Sequence, residues 1–195
     1  RCATDQLTDT IRLAVDPTIK DIIVNDTERN ETGTALPTID HWVDDARWAG
    51  NGERFGDVFD PARGEVAARV RLASSDDVDT VVLSARRAHV GWRETSLSRR
   101  SAVLFAFREA LMRRADELAA VISAQHGKVR SDAAGELQRG IEVVEFACGI
   151  PTLLAGAHSE GASTHVDVTT IRHSVGVVAG ITPFNFPAMV PMWMC

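Results

Sequence analysis

Residues 176–195 read GVVAGITPFNFPAMVPMWMC, and the rest of the chain is interpreted outward from them. Val175 to Ile181 is continuously apolar, the pattern of a strand buried on both faces of a parallel sheet rather than one with a wet side. Such a strand needs neighbours, because buried backbone groups without hydrogen-bond partners are costly. Few strands precede it, so much of its sheet is expected to come from residues other than these. Beyond it, Asn185 sits in a loop stiffened by Pro183 and Pro187 and anchored by Phe184 and Phe186. Ligands in open parallel sheets bind past the carboxyl ends of strands, where an asparagine NH2 can donate to a developing oxyanion. An asparagine between two prolines is equally a turn former, and spacing alone leaves both readings open. GVVAG is not GxGxxG, so the dinucleotide fingerprint is absent.

Upstream, Val166, Val168 and Ile171 alternate with Asp167, Thr169, Thr170 and Arg172 and predict a half-exposed strand. Three helices are expected before it. The first is capped by Ser75 or Asp76, carries Val78, Val81, Val82, Ala85 and Ala88 at helical spacing, and ends at Gly91. The second runs from near Ser98 to the His126-Gly127 break, and the third from near Ser131 to Gly149 and Pro151. Helices of this length are expected to bury their apolar stripes against one another or a sheet. Further upstream, Asp60-Pro61 and Arg63-Gly64 mark a tight turn between Val58-Phe59 and Val66 to Leu72, which predicts a hairpin. Residues 1–35 show no sustained period, and residues 1–40 are expected to be an atypical leader, loosely ordered or separately docked, with Ile19 to Val24 as a brief strand.

Two further places invite chemistry. Arg139, in ELQRGIEVVEFACG, lies on a helix expected to be largely buried, so its guanidinium can aim at a carboxylate; the alternative is an intrahelical pair with Glu136, Glu142 or Glu145. His126 and Lys128 flank a helix-ending glycine, where cations either serve a phosphate or an acid–base step or merely cap the helix. Cys2, Cys148 and Cys195 have neither zinc nor disulfide spacing. The 195 residues carry a net charge of -6 and no concentrated basic face, which argues against a nucleic-acid partner. No apolar run reaches the roughly 20 residues of a membrane span, and nothing resembles an export signal, so a cytoplasmic location is expected.

GVVAGITPFNFPAMVPMWM resembles a strand-and-loop segment of the aldehyde dehydrogenase superfamily. QHGKVRSDAAGELQRGIEVVEFACGIPTLLAGAHSE is similar to the helical segment of its methylmalonate-semialdehyde dehydrogenase branch, and VFDPARGEVAARVRLAS with the helices after it fits the N-terminal hairpin and helices. The resemblance spans roughly residues 41–194. It implies an α/β fold: helices plus the start of a Rossmann-like NAD-binding sheet, with an oligomerisation strand near residues 163–173. It also implies NAD as cofactor, coenzyme A as co-substrate, a small semialdehyde as substrate, a homo-oligomer, and the oxidation of methylmalonate or malonate semialdehyde to an acyl-CoA. Asn185 matches the asparagine that donates to the thiohemiacetal oxyanion, Thr182 and Phe184 match positions lining the NAD site, and Arg139 matches the arginine holding the substrate carboxylate. Gln125 and Val129 depart from the usual glutamate and threonine or serine. The nucleophilic cysteine and the catalytic domain have no counterpart in these residues, and Cys195 does not match the nucleophile. The expectation is therefore an N-terminal portion, inactive alone; a non-catalytic interaction module built on the same helices is the alternative.

Overall fold

The computed structural model describes residues 36–194. The leader up to residue 35, including the brief strand expected at Ile19 to Val24, and Cys195 lie outside the described residues. Three small sheets and six helices make up the rest. β1 (Thr38–Ile39) runs parallel to β5 (Glu65–Arg71), which pairs antiparallel with β4 (Phe55–Asp60) in the order β1-β5-β4. The β4–β5 hairpin is the one its turn chemistry predicts. Asp60 Oδ1 accepts from the Ala62 and Arg63 amides at 2.8 and 3.3 Å, and Gly64, at φ 72°, adopts the left-handed conformation that glycine tolerates best. A bulge at Val58/Phe59 shifts the register. A second ribbon, β2 (His41–Val43) with β3 (Ala46–Trp48), turns through Asp44 and Asp45, both at positive φ.

Helix α1 (Ser75–Glu94) is capped one residue earlier than expected, by Ser74, in a reciprocal capping box. The Ser74 hydroxyl accepts from the Asp77 amide at 3.2 Å, and the Asp77 carboxylate accepts from the Ser74 amide at 2.8 Å. Asp77 also accepts from the Asn51 amide at 2.8 Å, which ties the loop after β3 to the helix. The helix runs through Gly91. Its valines were expected to be covered, yet Val78, Val81 and Val82 are exposed, because no described element packs along that stripe.

The single helix expected from Ser98 to His126 is two: α2 (Leu97–Arg113) and α3 (Ala115–His126). Arg114, at φ -114° and ψ 18°, breaks them, and its guanidinium is held by Glu117 at 2.8 and 3.0 Å. The break lets Leu111 of α2 and Ala119 and Ile122 of α3 reach one cluster with Ala133, Leu137, Ile141 and Val144 of α4 (Arg130–Cys148). These α4 positions recur every three or four residues, the spacing of one buried helical face. Gly127, at φ 83°, closes α3 in the left-handed conformation. α5 (Ile150–Leu153) follows, and the Ser101 hydroxyl donates to the Cys148 carbonyl at 2.6 Å, fastening α2 to the end of α4.

The strand expected near residues 163–173 is shorter and has a partner: β7 (Val166–Thr169) pairs antiparallel with β6 (His158–Ser163), and every residue of this ribbon is exposed. Val175 to Ile181, expected as a buried strand, forms no ladder, and Val175 and Ile181 are 90% and 92% exposed. The reason is physical: a strand is made by its neighbours, and no neighbour for this segment lies among the described residues. α6 (Met189–Met194) then packs back onto α4, with Met189 buried.

Candidate functional site

Glu136 is the organising residue. It lies on the buried face of α4 between Ala133 and Leu137, and it is fully inaccessible to solvent. A buried carboxylate needs compensation for every oxygen. One oxygen accepts from the Ala188 amide at 2.8 Å and the Met189 amide at 3.1 Å, the donors left over where α6 begins. The other pairs with Lys128 Nζ at 2.6 Å. Burial pushes the carboxyl up, but the hydrogen bonds from Lys128, Ala188 and Met189, together with the lysine charge, outweigh it and hold the group below its ordinary value.

Lys128 is placed for this by the left-handed Gly127, which ends α3 and leads the chain directly into the start of α4. Its ammonium also donates to the Asn185 carbonyl at 3.1 Å and lies 5.0 Å from the centre of the Phe186 ring. It is therefore engaged inside the protein and does not stand free for a phosphate. His126 ends α3 with Nδ1 buried and without a partner among the described residues.

The residues predicted from the sequence divide accordingly. Asn185, Thr182 and Phe184 share one exposed turn segment, and that segment is held from beneath by Lys128 and Glu136. Arg139, expected on a buried stretch, is exposed on α4, and no hydrogen bond or ion pair joins it to another described residue. None of the intrahelical pairs weighed for it forms: Glu136 pairs with Lys128, Glu145 with Arg108, and Glu142 accepts from Gln138. Sequence reasoning treated Glu136 only as a partner for Arg139. The signal was present, since a glutamate on the apolar face of Ala133, Leu137, Gly140 and Ile141 requires a partner there.

The exposed turn leaves three side chains of different chemistry open to solvent. The Thr182 hydroxyl and the Phe184 ring face solvent and have no side-chain hydrogen bond or ring contact among the described residues, so donor, acceptor and stacking surface are all available. The Asn185 amide is likewise exposed, while its backbone carbonyl is fixed. The arrangement can present an amide donor at a defined place beside an apolar, aromatic surface. Groups of three or more metal-binding side chains are absent among the described residues, and no described helix is long and apolar enough to cross a membrane.

Malonate-semialdehyde dehydrogenase 3 of Geobacillus kaustophilus is 48% identical over 137 residues, which is 70% of this chain and 28% of that protein. Among solved structures, a protein of Sinorhizobium meliloti 1021 described as a methylmalonate-semialdehyde dehydrogenase and complexed with NAD superposes with a TM-score of 0.78 at 43% identity, over 82% of this chain and 33% of that one. The methylmalonate-semialdehyde dehydrogenase of Oceanimonas doudoroffii gives 0.77 at 44%, over 81% and 32%. The chain thus spans about a third of the length of the proteins it matches. The profile of the aldehyde dehydrogenase family matches residues 48–195, and the chain belongs to that family.

Proposed function

We propose that this chain is the N-terminal part of an NAD-dependent malonate- or methylmalonate-semialdehyde dehydrogenase that passes its acyl product to coenzyme A. The overall reaction converts semialdehyde, coenzyme A and NAD to acyl-CoA, carbon dioxide and NADH. The observation that carries the proposal is the Asn185 turn: its side-chain amide is exposed while its backbone is tethered by Lys128. A donor held in place before charge develops stabilises an oxyanion without reorganising at the moment of reaction. Asn185 is assigned that donation to the substrate aldehyde oxygen. Thr182 and Phe184 are assigned to the wall of the NAD site; NAD, when bound, supplies the hydride acceptor. Arg139, exposed on α4, is assigned to the substrate carboxylate, which its planar fork can grip at two points.

The reading extends to a cytoplasmic enzyme of valine breakdown, in which the exposed β6–β7 ribbon contributes to a homo-oligomeric contact. The test is NADH formation by the intact dehydrogenase with malonate semialdehyde and coenzyme A. Asn185→Ala is expected to lower kcat by about 10²–10³-fold with the fold retained. Arg139→Ala is expected to weaken use of malonate semialdehyde by about 1.5–3 kcal/mol while leaving an uncharged aldehyde of similar size little affected. Full activity in the Asn185 variant would remove the assignment of the donor, and equal losses on both aldehydes would remove that of Arg139.

A further inference from the structure

We propose that Lys128 and Glu136 are positioning residues for the Asn185 donor, a role that rests on the reading of Asn185 given above. The residues before the turn carrying Asn185 give it no strand pairing, since residues 170–183 form no ladder; their side-chain link is Ser174 to His89, and Gly180 lies against Met194. The links that hold the turn to the helical layer come from below. Lys128 donates to the Asn185 carbonyl, Glu136 accepts from the Ala188 and Met189 amides, and the lysine charge lies against the Phe186 ring. The two residues also bind each other, so the ammonium that reaches Asn185 is itself fixed by a carboxylate locked in the helical core. The carbonyl that Lys128 grips belongs to the same residue as the side-chain amide that would donate, so holding it restrains the backbone from which the donor extends. An ion pair serving stability alone would have no need of the asparagine backbone; here both charges spend their remaining hydrogen bonds on the turn.

Two measurements test the proposal. In the 195-residue chain, amide hydrogen exchange at Ala188 and Met189 is expected to rise by about tenfold or more in Glu136→Ala, with the amides of Leu137 and Ala119 unchanged. Unchanged exchange at Ala188 and Met189 overturns the proposal. In the intact dehydrogenase, Lys128→Met is expected to lower kcat by about 10²-fold, the loss typical of a misplaced catalytic group, and Lys128→Arg to recover part of it. The same Lys128→Met change placed on Asn185→Ala is expected to cost nothing further. An equal fold-loss in both backgrounds would show a general structural role and overturn the proposal. Should Asn185→Ala alone leave kcat intact, the donor reading fails, and the exchange measurement still decides whether the clamp holds the turn. Should Glu136→Ala fail to fold, the Lys128 series with its arginine rescue decides it.

Discussion

Gly135 and Gly140 lie in the interior of the same helix, α4, in opposite surroundings, and alanine at each separates intrinsic helix preference from packing. A Cβ at Gly135 would meet nothing within 4 Å. Alanine there gains the helix preference alone, about 0.8–1.0 kcal/mol. A Cβ at Gly140 would lie 2.7 Å from Met192 Sδ, 3.2 Å from Met192 Cε and 3.3 Å from Met189 Cα. The methionine side chain can swing aside, but the Met189 backbone can only retreat by moving α6. Overpacking of this kind costs about 1–3 kcal/mol, which equals or exceeds the propensity gain. Gly135→Ala is therefore expected to raise the urea midpoint of the 195-residue chain, and Gly140→Ala to leave it unchanged or lower it, with the two separated by about 1–3 kcal/mol. Equal stabilisation by both substitutions would mean that α6 is not seated on Gly140, and the path from α4 to the Asn185 turn would lose its foundation.

Leu137→Ala is expected to cost about 2–5 kcal/mol in urea unfolding, because Leu137 is 2% exposed at the meeting of α2, α3 and α4; a loss below about 1 kcal/mol would contradict that placement. Asp77 is held at about 2, below its ordinary 3.8, by hydrogen bonds from the Ser74 and Asn51 amides that outweigh its burial. A lowered carboxyl contributes stability that is complete above its unfolded value and is lost as pH falls through the folded one. The melting temperature of the wild-type chain is therefore expected to fall more steeply than that of Asp77→Asn between about pH 4 and about pH 2. Parallel pH profiles would remove Asp77 as the source.

What could be read in the sequence was mostly local. The β4–β5 turn was legible because Asp60 and Gly64 determine it within a few residues, and the end of α3 because Gly127 takes a conformation that other residues avoid. The break at Arg114 was not, since it carries neither glycine nor proline and follows from two helices converging on one core. The segment Val175 to Ile181 forms no ladder for the reason its pattern already carried: the neighbours such a strand needs were expected from residues other than these, and without them its apolar side chains stand exposed. Residue context raised Asn185 and Arg139 as candidates and left each with a structural alternative; family likeness gave them their roles and pointed to Thr182 and Phe184. Glu136 was passed over because its partners are invisible locally: Lys128 lies eight residues before it, and the Ala188 amide 52 residues after it.

The manner in which the Asn185 turn is held bears on how the site is assembled. If the turn owed its place to the apolar segment before it, a chain in which that segment has no ladder would leave the turn equally unplaced. Here the supports lie at the turn itself and beyond it, at the Asn185 carbonyl and the amides of Ala188 and Met189. All converge on a glutamate and a lysine belonging to the helical layer, whose core closes among residues of α2, α3 and α4. Placement of the Asn185 turn is thereby uncoupled from sheet formation. Exchange protection at Ala188 and Met189 should accordingly coexist with free exchange across Val175 to Ile181 in the 195-residue chain, because the first set of amides is bonded within the described fold and the second forms no ladder.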